Sequence, residues 1–351
     1  MPRRTERRAR CRTASAQSGL GERVYRSAIS CLAIAVLMGG PPARAAEPVG
    51  VVTILEGDAV AIRGLSKFAL GEGVRMLGDD LVETGKSTFL RVEFVDGAIV
   101  DLGPATRAQL NRPSLRKLDH PTLYLLSGWL KVSAGKLGAG AKGSIAAPQL
   151  DANGLIGEMV ERVDNGDVAL FAEDGPVRAS DRRGNAAVPI QLRSGDFLSL
   201  RKGEAPRVES RPAPEFVAAL PRQFRDPLPS RIAQFRGGVS AKPIGTFNYA
   251  EVEPWLDAEL MVRRRFTREW AAKATDDAFR ERLDAGLTRH PEWERVLYPE
   301  RFEPKPPPPV ASAPPVISAP AVPTVGGSAA INPSVPAAAP ATGPQAGQPG
   351  H

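Results

Sequence analysis

Between residues 46 and 208 the chain alternates apolar and polar side chains in short runs, and turns that contain glycine separate the runs. A repeat of two residues is typical of a β-strand that buries one face. Asp96-Gly97 separates two such runs and predicts a hairpin, because glycine accepts the positive φ that a tight turn demands. We therefore predict a mainly β domain at residues 46–208, built as a β-sandwich or β-roll.

The apolar runs recur at intervals of roughly ten residues, a spacing that favours antiparallel strands over strands alternating with helices. In one of these runs, Arg91 and Glu93 alternate with apolar residues, as in a strand with one polar face. The expected strands are 51–55, 59–62, 90–94, 98–102, 123–126, 129–132, 155–163, 168–171, 177–179, 190–192 and 197–200.

Two segments have the composition of connectors. Residues 209–246 contain several prolines and arginines and predict an extended linker that wraps the β-domain or leads away from it. Residues 304–351 consist mainly of proline and alanine with glycine and serine, and Lys305 is their one charged side chain. Such a composition buries too little apolar surface to fold, so we predict a disordered Pro/Ala-rich tail.

Residues 247–303 predict a small α-helical segment. Trp255, Val262, Phe266 and Trp270 recur at intervals of seven, four and four residues, which places them near one helix face. We expect this face to pack in a core, and a partner-binding groove is the alternative. Pro254 is expected in the first turn, where proline is tolerated.

Two further helices are predicted in the same segment. One begins with Thr275 as its N-cap and ends at Gly286, and a short one follows His290. The arginines at 263–265 and at 268 are flanked by glutamates, so we expect them on a solvated helix face.

The first 45 residues have the layout of a secretory signal peptide. A basic stretch ends near Arg26, an apolar run of about 11 residues follows, and Ala43-Arg44-Ala45 forms an A-x-A cleavage site. The run is much shorter than the roughly 20 residues of a membrane-spanning helix. We expect a cleaved Sec-type signal, a periplasmic location and no retained transmembrane helix; a retained anchor is the alternative.

Charge and cysteine content narrow the function further. The net charge of +7 lies within the leader, since residues 46–351 contain 37 basic and 37 acidic side chains. We therefore expect no nucleic-acid partner, because a phosphate-binding surface needs a basic excess. Both cysteines, Cys11 and Cys31, also lie in the leader, so disulfides and cysteine-bound metals are not expected in the exported chain.

Patterns for nucleophilic catalysis are weak. The three histidines stand in no metal-ligand pattern, and His120 and His290 each precede a proline. Residues 114–117 and 133–136 match S-x-x-K, but that motif needs its serine and lysine on one helical turn, and both segments lie in predicted strand or loop.

Phosphate and cation sites are equally weak. Gly85-Lys86-Ser87 resembles the end of a phosphate-binding loop, but Asp80 stands where the first glycine should be. Acidic residues at 58, 79, 80, 96 and 101 allow a carboxylate pair or a calcium site, yet ordinary turn chemistry explains them better. We expect no catalytic, cofactor-binding or metal-binding residues, and no cofactor.

The β region resembles a known family. The segments that carry the resemblance, in order and spacing, are 55–60, 70–74, 78–85, 90–97, 100–104, 126–132, 146–148, 168–171 and 194–196. Together they are similar to the FecR domain over residues 49–200. Gly157-Glu158-Met159 departs from the Gly-Thr that the family commonly has there. The resemblance implies a periplasmic β-rich module without known catalytic residues.

In the founding type of FecR regulator, the domain receives a signal from an outer-membrane iron transporter and passes it to a cytoplasmic sigma factor. That role needs a cytoplasmic anti-sigma segment and a retained membrane helix, which we do not expect here. We predict a non-catalytic FecR-like interaction or scaffold module that binds an envelope protein or peptidoglycan. The alternatives are a membrane-anchored signalling component of a FecR-type transport and sigma system, and a hydrolase with paired carboxylates.

Overall fold

The computed structural model describes residues 48–111, 121–134, 144–184 and 186–303. Its β part has eighteen strands. The first nine are β1 Pro48–Glu56, β2 Ala59–Arg63, β3 Ser66–Ala69, β4 Arg75–Leu77, β5 Asp80–Thr84, β6 Phe89–Phe94, β7 Ile99–Leu102, β8 Arg107–Leu110 and β9 Leu123–Ser133. The others are β10 Ser144–Ala147, β11 Leu150–Asn153, β12 Glu158–Asp164, β13 Asp167–Asp174, β14 Val177–Asp181, β15 Val188–Leu192, β16 Phe197–Leu200, β17 Arg207–Glu209 and β18 Lys242–Thr246.

The strands form two sheets that share β9. Sheet A has the order β4-β1-β6-β7-β9-β12-β13-β16-β17. Sheet B has the order β18-β3-β2-β5-β8-β9-β10-β11-β14-β15. The N-terminal half of β9 pairs in sheet B and its C-terminal half in sheet A, with Gly128 at the bend. Gly128 has φ +95°, and a Cβ there would lie 2.5 Å from the Cα of Thr106.

The sheets pack face to face around one apolar core. Val52 and Val92 of sheet A and Ala61 and Val82 of sheet B belong to this inter-sheet core, and all four are buried. The prediction of a mainly β domain, a β-sandwich or β-roll, is therefore confirmed. The strand predicted at 155–163 begins only at Glu158, and the two strands predicted at 123–126 and 129–132 are the single strand β9.

The helices lie C-terminal to β17 and are short. They are α1 Pro214–Ala219, α2 Tyr249–Leu256, α3 Leu260–Arg263, α4 Phe266–Glu269, α5 Asp277–Ala285 and α6 Glu294–Leu297. Pro254 is inside α2 and not in its first turn, because Asn248 and Glu251 form a capping box that starts the helix earlier. The N-cap of α5 is Asp276 rather than Thr275, and it accepts a hydrogen bond from the Phe279 amide.

The segment after β17 covers the outer faces of both sheets. Residues 213–235, which we call the strap, place Phe216 and Phe224 on the outer face of sheet A. Residues 247–298 place the aromatic stripe on the outer face of sheet B, against Ile62 and Tyr124. The prediction that the stripe packs in a core is confirmed. The segment predicted as an extended linker contains α1, two 3₁₀ turns and β18.

Only part of the arginine cluster is a solvated helix face. Arg263 is ion-paired with Glu292 at 3.1 Å, and Arg265 with Asp79 at 3.2 Å and with Glu269 at 3.6 Å. The side chains of both arginines are largely buried, because α3 and α4 lie flat on sheet B. Arg264 and Arg268 are exposed as predicted, so the interpretation is wrong for Arg263 and Arg265 and correct for the other two.

Candidate binding face

One row of side chains crosses the outer face of sheet A from β1 to β17. Its members stand directly opposite one another on neighbouring strands, so all of them point to the same face. The row consists of Ile54, Arg91, Asp101, Lys131, Val160, Phe171, Phe197 and Glu209. Charged residues fill three of the four positions in one half (Arg91, Asp101 and Lys131), and apolar or aromatic residues fill three of the four in the other (Val160, Phe171 and Phe197).

The charged half of the row forms two sets of ion pairs, one at Arg91 and one at Lys131. Arg91 donates two hydrogen bonds to Asp101, both of 2.7 Å, and both side chains are buried. Lys131 lies 2.9 Å from Glu158 and 2.7 Å from Glu173. Burial alone would lower the pKa of Lys131, but these two carboxylates outweigh it and raise that pKa. Lys131 therefore stays charged at neutral pH.

Main-chain atoms of the strap contact the charged half of the row. The Lys131 ammonium donates to the carbonyl oxygen of Phe224 at 3.0 Å. The Arg91 guanidinium donates to the carbonyl oxygen of Leu228 at 2.8 Å. The strap therefore crosses the strands, and the row binds its backbone as well as its side chains.

Glu93 lies two residues after Arg91 on β6, on the same face of the sheet, and it binds the C-terminal end of the strap. Its carboxylate accepts a hydrogen bond from the Arg231 amide at 2.7 Å and another from the Ser230 hydroxyl. Burial raises the pKa of Glu93, but these hydrogen bonds outweigh it, and the net effect lowers that pKa. Glu93 is therefore an ionised acceptor for the strap.

Two phenylalanines anchor the strap to aromatic residues on both halves of the face. The Phe216 ring lies 5.2 Å from that of Trp129 and 5.0 Å from that of Phe197, measured between centroids. The Phe224 ring meets Phe89 edge-on at 6.3 Å. Aromatic pairs at these distances add stabilisation beyond the area they bury.

An open groove lies beside the Phe216 anchor, bounded by the β12–β13 hairpin, strands β16 and β17, and α1. Its volume is about 540 Å³. Phe197 and Phe216 form part of its wall, and charged and hydroxyl side chains, including Arg207, Ser199 and Glu215, line the rest. An apolar wall with a polar rim is the usual make-up of a ligand site.

A second cleft of about 570 Å³ lies on the helical side, at the starts of α2 and α5. Its polar groups are engaged in helix capping or ion pairs: Glu251 completes the capping box of α2 and binds Lys67, and Asp276 caps α5 and binds Lys273 at 3.0 Å. The groove on sheet A also contains ion pairs, Arg207 with Glu209 at 3.0 Å and Arg162 with Asp164 at 2.8 Å, so polar pairing does not distinguish the two sites.

The residues singled out for catalysis do not come together. His290 is fully buried, with its Nε2 3.3 Å from the Leu283 carbonyl oxygen and its Nδ1 3.5 Å from Asp257, so it packs the helical layer. His120, His351, Lys136 and the segment 114–117 lie outside the described residues. Ser133 is in β9 and donates to Glu158 at 2.9 Å.

The acidic residues at 80 and 101 are buried partners of arginines. Asp80 accepts two hydrogen bonds from Arg63, at 2.6 and 2.9 Å, and Asp101 binds Arg91 as above. Gly85-Lys86-Ser87 is the turn between β5 and β6. Within the described residues, no group of three or more acidic, histidine or cysteine side chains is placed to bind a metal ion. The expectation of a non-catalytic chain stays a prediction.

Comparison with known proteins gives a partial likeness. No family model matches the chain, and no curated protein is similar to it. Two crystal structures of a candidate anti-sigma factor from Parabacteroides distasonis are similar, at 13% and 12% identity and a TM-score of 0.32 for each. Each match covers 39% of this chain and 62% of that chain, which is less than two thirds of the neighbour.

A likeness of this size carries neither the fold nor the activity of those proteins to this chain, so the FecR resemblance stays a prediction. In the part of the chain that the structure describes, no helix is both long enough and apolar enough to cross a membrane.

Proposed function

We propose that the chain is a non-catalytic, periplasmic FecR-like interaction or scaffold module, which binds a cell-envelope partner, either a protein or peptidoglycan. The groove beside the strap carries this proposal. It is open, it joins an aromatic wall to a charged and hydroxylated rim, and it continues the row of side chains on sheet A. That chemistry suits a partner with both apolar and polar groups.

The rest of the molecule supports a rigid scaffold for the groove. Both sheets are covered on their outer faces, so the strands that hold the groove are fixed by packing from two sides. The sheet edges discourage pairing with another chain. β15 and β18 contain Pro189 and Pro243, and β4 and β17 are three residues long. We therefore place binding in the groove and not at a sheet edge.

Two binding assays on the full chain test the proposal. Purified protein is sedimented with isolated cell-wall sacculi, and in intact cells a photoreactive residue replaces Glu204 on the groove rim. We expect specific sedimentation at moderate salt, or a discrete crosslinked adduct from position 204. The control position is Glu281, an exposed glutamate on α5.

A charge reversal locates the site. Arg207→Glu changes an exposed arginine of the groove, and Arg222→Glu makes the same change at an exposed arginine that does not line it. We expect the first variant to lose at least fivefold in sedimentation or crosslinking, and the second to keep wild-type levels. Equal losses in both, or the absence of any bound partner, would overturn the proposal.

A further inference from the structure

The groove beside the strap has a floor of small side chains between two arginine–carboxylate pairs. We infer that its ligand is a neutral saccharide, bound through its hydroxyl groups, and not a charged segment of a protein. The inference rests on the proposed binding function and chooses the glycan over the protein as the class of partner. The shape of the floor, the pairing of charges on the flanks and the position of the aromatic wall carry it.

A second row of side chains, next to the one described above, forms the floor of the groove. Its members stand directly opposite one another on β9, β12, β13, β16 and β17, and they are Trp129, Arg162, Ala169, Ser199 and Arg207. Ala169 and Ser199 are small, so a trough lies between the two arginines. Three strand intervals separate these arginines, which is about 14 Å between their Cα atoms. The trough therefore has room for more than one sugar ring, since a ring is about as wide as one strand interval.

Each of these arginines has a carboxylate beside it on the same strand. Arg162 donates to Asp164 at 2.8 Å, and Arg207 lies 3.0 Å from Glu209. All four side chains are accessible to solvent, from 33% exposed for Arg162 to 76% for Arg207. A guanidinium only donates hydrogen bonds and a carboxylate only accepts them, whereas a hydroxyl does both. A sugar hydroxyl can therefore accept from the arginine and donate to the carboxylate of the same pair.

The balance of charge in the groove disfavours an ionic ligand. The lining contains three arginines, at 162, 201 and 207, and five carboxylates, at 164, 167, 204, 209 and 215, so an anion is repelled. Three of the carboxylates already bind an arginine or a backbone amide. The other two, Glu204 and Glu215, are exposed, and an ion pair with a cation contributes little there. Neutral hydroxyls also cost less to remove from water than ions do, so the groove suits a polar, uncharged ligand.

The aromatic wall borders the trough on one side. Phe197 lies two residues before Ser199 on the same face of β16, and the centroid of the Phe216 ring lies 5.0 Å from that of Phe197. The carbon–hydrogen faces of a sugar ring are apolar and pack against such a wall, while the hydroxyls at the ring edge reach the flanks. The Arg162 guanidinium lies over the Trp129 ring, 5.0 Å from its centroid. A ligand that binds Arg162 therefore changes the surroundings of this tryptophan.

Titration of the full chain with the trimer of N-acetylglucosamine, an uncharged saccharide, tests the inference. Tryptophan fluorescence follows the binding through Trp129. We expect saturable binding, with a dissociation constant that changes less than twofold between about 0.05 and 0.5 M sodium chloride, because screening leaves neutral contacts unchanged. Ser199→Phe fills the trough and should weaken binding at least tenfold. Gln191→Phe introduces the same side chain at an exposed strand position that does not line the groove, and it should bind as the wild type does.

Competition on the wild type serves as a second measurement in case Ser199→Phe does not fold. An excess of the trimer should reduce sedimentation with sacculi, and any crosslinked adduct from position 204 in isolated envelopes, at least tenfold. A wild type that does not bind the trimer, a folded Ser199→Phe variant that binds it normally, or a tenfold loss of affinity in high salt would overturn the inference.

The two proposals fail on different results. A protein adduct from position 204 that the trimer does not reduce would overturn the saccharide and leave the proposed function standing. The absence of both sedimentation and adduct would overturn the proposed function itself.

Discussion

Glu161 is a carboxyl group inside an apolar core, and its removal should change how stability depends on pH. It lies on β12 between Met159 and Val163, which both face the inter-sheet core, and opposite Leu130 and Leu170 on the neighbouring strands. Its side chain is 1% exposed, and among the described residues its Oε2 has no hydrogen-bond partner. Burial, with a smaller contribution from Asp151, raises the pKa of Glu161 from 4.5 to about 8.

The sign follows from proton binding. Between pH 4.5 and about 8 the folded chain holds a proton on Glu161 that the unfolded chain has released. The free energy of unfolding therefore falls as pH rises through this window, by about 1.4 kcal/mol per pH unit. This contribution is fully present below pH 4.5 and is lost above the folded pKa, a total of about 5 kcal/mol.

Glu161→Gln keeps the size of the side chain and removes the titration. We expect the variant to gain stability relative to the wild type as pH rises from 5.5 to 8.5, by about 3 to 4 kcal/mol over that range. Urea unfolding at four pH values, followed by tryptophan fluorescence, measures the difference. Glu281→Gln on exposed α5 controls for the amide substitution. A difference between Glu161→Gln and wild type that does not change with pH would refute the reasoning.

Two other predictions concern the sheets. Asp101→Leu should lower the free energy of unfolding by about 3 to 5 kcal/mol, because it leaves the Arg91 charge buried without its partner. The double variant with Arg91→Met should lose less than the sum of the two single losses. Additive losses in urea unfolding would contradict this. Gly128→Ala should lower the free energy of unfolding by about 3 kcal/mol through backbone strain and the clash with Thr106. Gly166→Ala has a similar positive φ but free space around it, and it should lower the free energy of unfolding clearly less. Equal losses in urea unfolding would show that the clash plays no part.

The local pattern of the sequence predicted many of the strands and none of the binding face. The runs 90–94 and 98–102 form β6 and β7 because alternation is a property of neighbouring residues. Arg91 and Glu93 stand at the polar positions of that alternation, yet they are buried. The residues that cover them lie more than 130 positions further along the chain, so no local pattern could show it.

Other differences between the predicted and the observed elements have causes that can be read from the sequence. Ser127-Gly128 has the composition of a turn, but the glycine serves a bend within β9, since the strand passes from one sheet to the other. Asn248 with Glu251 three residues later is a capping signature, and it could have located the start of α2 before Pro254 did. Strands β10 and β11 are four residues each and lack a run of β-branched residues, so propensity gave little signal for them.

The covering of both sheets by the C-terminal part of the chain has a consequence for biogenesis. A chain grows from its N-terminus, so strands β1 to β17 emerge before the strap and the helical layer. Until then, Phe89 and Trp129 on one face and Tyr124 on the other are open to solvent, although all three end up buried. We therefore expect the nascent sandwich to be prone to aggregation until these layers form, and a chain that stops after β17 should aggregate rather than accumulate as a smaller folded domain.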